Sequence, residues 1–514
     1  MQDKNYEAKR VKDAEKAFDR RRRTFGLFFA PILAVAVMLT PIDALTLEAH
    51  KLLAIMVLVA MWWITEPIPI PVTSLLGPTL AVVTGAVPVS GAFSAFANSM
   101  IFLFMGSFIL AKAMMLHGLD KRFAYWLLSR SWVGSNPRRI FLAIGLAAAL
   151  CSGWVSNTAT AAMMFPICLG LLTSIKEMMA ANGRKIILNE YKYATGLMLM
   201  TAYSASIGGV LTPIGTPPNL IMLGFLDSME NIHVSFFEWM IWGFAAMVCY
   251  FVIAYVVLSK LFPPDVEKID GAEEFIRARI AELGSWTRAQ KNTLFAFAMA
   301  VALWIIPGFL NMILGADSPI LKMYNVLFPE AIAAMVGALL LFILPVNFSK
   351  REFTITWKDA SVGIEWGTLI LFGGGLAMGG MMYKTGLSQW IGNLIVDAMG
   401  GTVSQVVLVA VFSVLALLLS ELTSHTAATN MIGPLAITIA VSAGLSPLPV
   451  AVGIALSASL GFMLPVSTPP NAIVYSSGYV PITKMISTGV YIDFIGIAFV
   501  TIPIAIWLVT AIVG

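Results

Sequence analysis

The sequence has little charge and few of the residues that build metal or redox sites. Only 12% of its 514 residues are charged and 59% are hydrophobic, whereas an ordinary soluble domain carries about twice that charged fraction. A soluble globular protein is therefore excluded. The three cysteines lie inside apolar runs without metal-binding spacing, which excludes a disulfide scaffold. A scattered net charge of +4 gives no basis for nucleic-acid binding.

Histidine is also scarce. The chain has four histidines, at positions 50, 117, 233 and 425, and none has the HExxH spacing of a zinc enzyme. An intramembrane enzyme would need a nucleophile with a base, or a metal cluster. The sequence therefore predicts that the protein is not an enzyme and that it has no organic cofactor.

Long apolar runs take the place of charge. About 20 apolar residues span a bilayer, so the chain can supply ten to twelve spans. The first 23 residues hold nine Lys and Arg, and the uncharged stretch 24–42 follows them. We interpret this stretch as an uncleaved first helix with a cytoplasmic N-terminus. The sequence predicts a multi-pass protein of the plasma (inner) membrane.

The basic residues favour eleven spans and a C-terminus on the outside. Two apolar stretches, 140–174 and 404–442, are interrupted by polar residues, and we interpret them as re-entrant hairpins. With this topology, 28 of the 32 Lys and Arg fall in cytoplasmic segments, as the positive-inside rule requires. Counting either hairpin as a full crossing would place later basic loops outside.

The chain repeats itself at an offset of 268 residues. Residues 101–119 align with residues 369–387 without a gap, and two polar strings recur downstream in each half. Five predicted spans, an odd number, separate equivalent points, so the two halves are inverted. Inverted repeats with interrupted helices are typical of secondary transporters. The recurring strings are Ser156-Asn157-Thr158 with Ser424-His425-Thr426, and Gly215-Thr216-Pro217-Pro218-Asn219 with Ser467-Thr468-Pro469-Pro470-Asn471.

These strings can build an anion site inside the membrane. A polar triplet between two short apolar segments is expected at a hairpin tip, because non-helical backbone is tolerated only where protein or water satisfies it. In Thr-Pro-Pro-Asn, Thr can cap a new helix and Pro fits its first position. Four helix N-termini are expected to converge, each carrying about +0.5 charge. The strings contain no Lys or Arg, so we predict an anion that binds moderately.

Four further ionisable residues stand in apolar context: Lys112, Glu66, Glu365 and Glu421. Such residues are candidates for a transport pathway. No periodicity links Glu66 or Lys112 to the triplets, so we interpret these two as residues that snorkel or pair at scaffold interfaces.

At these motifs the sequence resembles the divalent anion/Na+ symporter family, which includes bacterial and animal di- and tricarboxylate transporters. The resemblance extends from about residue 62, where Trp63-Ile64-Thr65-Glu66-Pro67 is similar to a family motif. It implies an all-α homodimer in the lipid bilayer. Each subunit would have about eleven transmembrane helices, two re-entrant hairpins with broken helices, and an elevator-type transport domain that moves against a scaffold.

The repeat and the resemblance together predict the organisation of the chain. Two scaffold regions alternate with two transport parts. In each half, a lateral arm helix joins the scaffold region to the transport part that follows it. The predicted segments are the cytoplasmic arm 1–23, scaffold helices 24–118, arm helix 119–136, first transport part 137–260 (hairpin 137–175, broken helix 193–228, helix 236–260), cytoplasmic linker 261–291, scaffold helices 292–384, arm helix 385–399, and second transport part 400–514 (hairpin 402–442, broken helix 448–476, helix 485–513).

The resemblance also implies site residues. The substrate would contact the side chains or backbone of Asn157, Thr158, Thr216, Pro217, His425, Thr426, Thr468 and Pro469. A first sodium site would use Ser152, Ser156, Asn157 and Gly215. A second sodium site, where the sequence departs from the family pattern, would use Ser420, Thr423, His425 and Ser467.

The departure is His425, which stands where the second triplet usually has Asn. An imidazole nitrogen is a poor ligand for Na+ and can itself become cationic. A branch of the family exchanges dicarboxylates without sodium, and His425 favours that branch. Exchange of succinate, malate, fumarate or α-ketoglutarate is therefore our first interpretation. Sodium-coupled di- or tricarboxylate symport is the alternative, and a sulfate or oxyanion carrier or a channel is less favoured.

Overall fold

The computed structural model describes residues 2–181, 191–264, 266–398 and 403–508. Within these ranges the chain is almost entirely helical, with one antiparallel pair of short strands, β1 (Pro345–Asn347) and β2 (Glu352–Phe353). Residues 509–513 of the last predicted helix lie outside the described residues. The same is true of residue 399 at the end of the second arm helix and residue 402 at the start of the second hairpin.

The first half ends in a short linker helix. Its helices are α1 (Gln2–Leu39), α2 (Leu47–Thr65), α3 (Ile70–Val83), α4 (Val89–Phe93) with the 3-10 turn Ser94–Ala97, α5 (Ser99–Leu116), α6 (Leu119–Leu128), α7 (Pro137–Ser152), α8 (Asn157–Ala181), α9 (Lys192–Gly209), α10 (Pro217–Glu230), α11 (Phe236–Leu261) and the linker helix α12 (Ala272–Glu282).

The second half ends in two π-helical segments, Ile497–Thr501 and Ile504–Leu508. Its helices are α13 (Arg288–Leu314), α14 (Pro319–Leu327), α15 (Glu330–Ile343), α16 (Trp357–Gly363), α17 (Trp366–Lys384), α18 (Leu387–Ala398), α19 (Gln405–Leu422), α20 (His425–Ser442), α21 (Pro447–Ala458), α22 (Pro469–Tyr475) and α23 (Ile482–Gly496).

The helix boundaries reproduce the sequence repeat. Helices α18, α19 and α20 each begin 268 residues after α6, α7 and α8. The halves are interleaved, because α5 of the first half packs against α15 of the second, and α17 of the second packs against α3 of the first. In each half the first hairpin helix packs against the helix before the break, α7 on α9 and α19 on α21.

Eight helices of the described ranges are long and apolar enough to cross a membrane, or up to ten if the bent pairs α14–α15 and α16–α17 each count as one span. A multi-pass fold with broken helices is thereby confirmed. Fewer than eleven helices qualify, because residues 194–226 and 448–476 each divide into two shorter helices and residues 70–83 form only 14 residues of helix. By length, one helix of each hairpin, α8 and α19, is among the eight.

The N-terminal residues do not form a separate arm. They are the first turns of α1, which continues into the apolar stretch without a break. Arg22 and Arg23 approach the carboxylate of Glu66 at 3.6 and 3.9 Å, and Arg22 also donates to the carbonyl of Leu422 at 3.3 Å. Glu66 therefore pairs with two arginines of α1.

Candidate functional site

A cavity of about 330 Å³ lies where the two hairpin tips meet the two helix breaks. All eight residues that the sequence suggested for the substrate line it, although they come from four separate stretches of the chain. Among the residues that the structure describes, no Lys or Arg lines the cavity. The shared lining residues are Asn157, Thr158, Thr216, Pro217, His425, Thr426, Thr468 and Pro469.

The two hairpin tips are built alike. Ser156 accepts a hydrogen bond from the backbone N–H of Ala159 at 3.3 Å, and Ser424 accepts one from the N–H of Ala427 at 3.2 Å. Each serine thus caps the second helix of its hairpin. The residue after each serine, Asn157 or His425, is the first residue of that helix and faces the cavity.

The helix breaks differ from the expected capping. Thr216 and Thr468 occupy the N-cap positions of α10 and α22, each followed by Pro at the first helical position, but neither side chain caps the helix. The hydroxyl of Thr216 is buried and has no hydrogen-bond partner among the described residues. It is therefore free to bind a ligand oxygen or ion in the cavity.

Of the four helices that begin at the recurring strings and line this cavity, three are long. Helices α8, α10 and α20 have 25, 14 and 18 residues, whereas α22 has only seven. The charge at a helix N-terminus arises from aligned peptide dipoles, so α22 contributes less to it. The cavity remains suited to an anion, because backbone N–H groups replace fixed cations.

An asparagine braces the loop of each break. Asn219 donates to the carbonyls of Gly209 and Thr212 at 3.1 and 2.8 Å. Asn471 donates to the equivalent carbonyls, of Gly461 and Leu464, both at 3.0 Å. Each loop is therefore held in a fixed shape by the last residue of its Thr-Pro-Pro-Asn string.

The first set of suggested sodium ligands is close-packed and rich in oxygen. The hydroxyl of Ser152 donates to Oδ1 of Asn157 at 2.6 Å. Gly209 lies directly against this amide, since a Cβ there would come within 2.4 Å of Oδ1, and Gly215 lies against the Gly209 carbonyl. Side-chain and backbone oxygens are the donors that a hard cation prefers. This set fits Na+.

The second set lacks the amide oxygen of the first. The hydroxyl of Ser420 donates to the carbonyl of Ala458 at 2.8 Å and lies 2.5 Å from Nδ1 of His425, while the hydroxyl of Thr423 donates to the carbonyl of Leu419. Ser467 donates to the carboxylate of Glu421. These hydroxyls keep lone pairs, but the residue at the position of Asn157 is His425, whose Nε2, without a partner among the described residues, is a nitrogen and a poor ligand for Na+.

The structure places a second buried carboxyl, Asp493, which sequence reasoning missed, near Glu421 at the second break. Glu421 accepts hydrogen bonds from the N–H groups of Met463 and Leu464 at 2.8 and 3.1 Å, and Asp493 accepts one from Phe462 at 3.2 Å. Both acids therefore hold the loop of the second break. Asp493 was missed because it lies within the apolar helix α23, although an acid inside such a helix is itself a signal.

The other ionisable residues divide between the scaffold and the cavity. The methylene stem of Lys112 packs against Gly363. Glu365 lies between α16 and α17 and lines the cavity beside Thr368. The cavity therefore contains one carboxylate as well as the helix N-termini.

The sequence as a whole matches known proteins. The family described as "Sodium:sulfate symporter transmembrane region" matches residues 22–513. A protein named "Sodium-dependent dicarboxylate transporter SdcS" from Staphylococcus saprophyticus is 34% identical over 482 residues, which cover 93% of this chain and 90% of the relative. The protein of that name from Staphylococcus aureus is 33% identical over 495 residues, covering 95% and 92%.

Solved structures share the fold at low sequence identity. The YdaH transporter of Alcanivorax borkumensis has a TM-score of 0.55 and 14% identity, over 84% of this chain and 89% of that one. MtrF of Neisseria gonorrhoeae, described among antimetabolite efflux pumps, has a TM-score of 0.53 and 14% identity, over 90% and 96%. The resemblance to the divalent anion/Na+ symporters is confirmed, and with it the prediction of a transporter rather than an enzyme. The chain belongs to the sodium:sulfate symporter family.

Proposed function

We propose that the protein is a secondary transporter that carries dicarboxylates together with Na+. The observation that carries this proposal is the cavity itself, where three long helix N-termini and the unpartnered hydroxyl of Thr216 meet without a Lys or Arg among its lining residues. Such a site attracts two carboxylates through N–H groups and releases them when a bound cation leaves. The names of the relatives support the same substrate class.

Sodium coupling replaces exchange as the favoured mode. Exchange was favoured because His425 removes a sodium ligand, but this argument concerns only the second half. The first half keeps Ser152 in contact with the amide of Asn157, with Gly209 between this amide and Gly215. The relatives are named as sodium-dependent. We infer that one Na+ binds at Ser152, Ser156, Asn157 and Gly215.

An elevator-type movement is part of the proposal. The hairpins α7–α8 and α19–α20 and the broken helices α9–α10 and α21–α22 would move as one body. Helices α3, α5, α15 and α17 would stay in a homodimeric scaffold, with the N-terminus in the cytoplasm and the C-terminus outside. The packing of α7 on α9, α19 on α21, α5 on α15 and α17 on α3 supports this division.

Uptake by proteoliposomes tests the proposal. Labelled succinate should enter vesicles that contain no substrate when an inward Na+ gradient is imposed, because substrate and ion bind together. Replacing Na+ by K+ or choline should reduce the initial rate at least tenfold. Unlabelled fumarate or malate should compete, and sulfate should not.

The same vesicles separate the alternatives. Uptake that ignores Na+ and accelerates when the vesicles are preloaded with succinate would establish exchange instead. Uptake that does not saturate would indicate a channel. Competition by sulfate at the concentration at which succinate competes would point to an oxyanion carrier.

A further inference from the structure

One carboxylate faces the interior of the anion cavity. Glu365 lines the cavity, and its Oε2 accepts a hydrogen bond from the hydroxyl of Thr368 at 3.1 Å. Among the described residues, the side chain that donates a hydrogen bond to this carboxylate is Thr368. No Lys or Arg of the described lining residues offsets its negative charge. A cavity suited to anions therefore contains one uncompensated negative charge.

Glu365 stands at the start of a long helix and at the open space of the cavity. It is the N-cap residue of α17, a helix of 19 residues, where the helix dipole interacts favourably with a negative charge. Its side chain is exposed to the space in the cavity. A carboxylate at this place can therefore act on the charge of a bound ligand.

Glu365 and the four recurring strings come from different helices that line the cavity. Asn157, Thr216 and His425 come from the hairpins and helix breaks, whereas Glu365 and Ser107 come from the region of α17 and α5. A dicarboxylate can place its two carboxylates at the N-termini and turn its uncharged carbon chain toward α17 and α5. A third carboxylate would have to face Glu365.

We propose that Glu365 determines specificity by admitting dicarboxylates and excluding tricarboxylates. This inference rests on the proposed dicarboxylate function. Within the cavity of about 330 Å³, a third carboxylate that points toward α17 would lie near Glu365. Two like charges about 6 Å apart, at an effective dielectric constant of about 20, repel each other enough to weaken binding about a hundredfold.

Competition measurements with substitutions at Glu365 test the proposal. Citrate and succinate would each compete with labelled succinate for uptake at about pH 8, where both are fully ionised. In the wild type, citrate should need a much higher concentration than succinate for half-inhibition. Glu365→Gln keeps an acceptor for Thr368 but removes the charge, so it should lower the citrate-to-succinate ratio about ten- to a hundredfold.

Two further variants distinguish charge from shape. Glu365→Asp restores the charge and should restore discrimination against citrate. Glu352→Gln, at an exposed position on β2, should keep the wild-type ratio. If a variant does not transport, the ratio can be read from the shift in melting temperature that each acid causes in purified protein.

The outcomes separate this inference from the function on which it rests. If Glu365→Gln keeps the wild-type ratio, if Glu365→Asp matches Glu365→Gln, or if the wild type accepts citrate as readily as succinate, Glu365 does not set specificity. Dicarboxylate uptake would remain in each of these cases. If the wild type neither binds nor transports succinate or fumarate, the proposed function itself is wrong.

Discussion

The two halves share the same capped hairpin helix and the same break loop, and they differ in the charged residues around that loop. In both, a serine caps the hairpin helix, and an asparagine holds two carbonyls of the break loop through the same pair of hydrogen bonds. The amide oxygens of Asn219 and Asn471 are both buried and have no partner within the described ranges. The shape of the loop is therefore common to the two halves.

The differences are in three side chains around the loop. Where the first half has Asn157, the second has His425, and where the first has Gly153, the second has the buried Glu421. Counted from the starts of α11 and α23, the buried Asp493 corresponds to Met247. The second loop is thus held by acids, whereas neutral groups surround the first.

This comparison separates the loop's shape from its chemistry. Backbone hydrogen bonds made by Asn219 and Asn471 are the same in both halves, so they do not determine which ion binds. The first loop leaves neutral oxygens near Asn157, while in the second loop Ser467 donates to Glu421. We therefore expect substitutions in the two halves to affect different properties.

The largest effect is expected from Glu421, which has no counterpart in the first half. Glu421→Ala would leave the N–H groups of Met463 and Leu464 without their acceptor, whereas the hydroxyl of Ser467 can still donate to the carbonyl of Leu464. Each buried unsatisfied donor costs about 1–3 kcal/mol, so the free energy of unfolding should fall by about 2–6 kcal/mol. Thermal unfolding of purified protein measures it, with Glu352→Ala, an exposed position, as the control. If Glu421→Ala melts at the same temperature as the wild type, the hydrogen bonds to Glu421 do not stabilise the loop.

The next effect compares the first residues of α8 and α20. Asn157→Ala removes the amide that Ser152 contacts, and losing one charge-assisted hydrogen bond costs about 1.5–3 kcal/mol. The Na+ concentration for half-maximal uptake should therefore rise about ten- to a hundredfold. His425→Ala should leave the Na+ requirement near that of the wild type, because an imidazole nitrogen is a poor ligand for Na+ and its loss removes no oxygen ligand. Equal increases in both variants would mean that both halves bind Na+.

A smaller effect should be equal in the two halves. Asn219→Ala and Asn471→Ala each remove two hydrogen bonds to loop carbonyls, and one such bond contributes about 0.5–1.5 kcal/mol. Each variant should lose about 1–3 kcal/mol of unfolding free energy, and the two losses should agree within experimental error. Thermal unfolding again provides the measurement. A much larger loss for one variant would show that the loops are not equivalent.

The sequence predicts where the site residues lie along the chain better than it predicts which side chains contact one another there. Ser156 and Ser424, with the Thr-Pro-Pro-Asn strings, end and begin helices by local chemistry, and the repeat offset indicates which residues meet. The contacts of Glu421 and Asp493 depend on packing between α19, α23 and a loop far away in the chain. The continuous helix α1 was also not predicted, because charge marks topology and not the end of a helix.

The smallest effect is expected in the loop that follows each broken helix, between α10 and α11 in the first half and between α22 and α23 in the second. Nδ1 of His233 lies 3.7 Å from Asp227 and its Nε2 lies 3.4 Å from Glu330. Counted from the starts of α11 and α23, the second half has Tyr479 at this place, and Tyr479 accepts from Thr195 through its backbone carbonyl. Only the first connection thus carries a group that titrates between two carboxylates.

The nearby carboxylates of Asp227 and Glu330 raise the pKa of His233 from 6.5 to about 10. Because the folded pKa is the higher one, the contribution to stability is fully present below about pH 6.5 and is lost as the pH rises through about 10. The side chain is 54% exposed, so solvent screens the pair and the effect should be small. Melting temperatures between pH 7 and pH 10 should fall more in the wild type than in His233→Tyr, which copies the second half. If the melting temperatures of the wild type and His233→Tyr change with pH in parallel, His233 does not link α10 to α15.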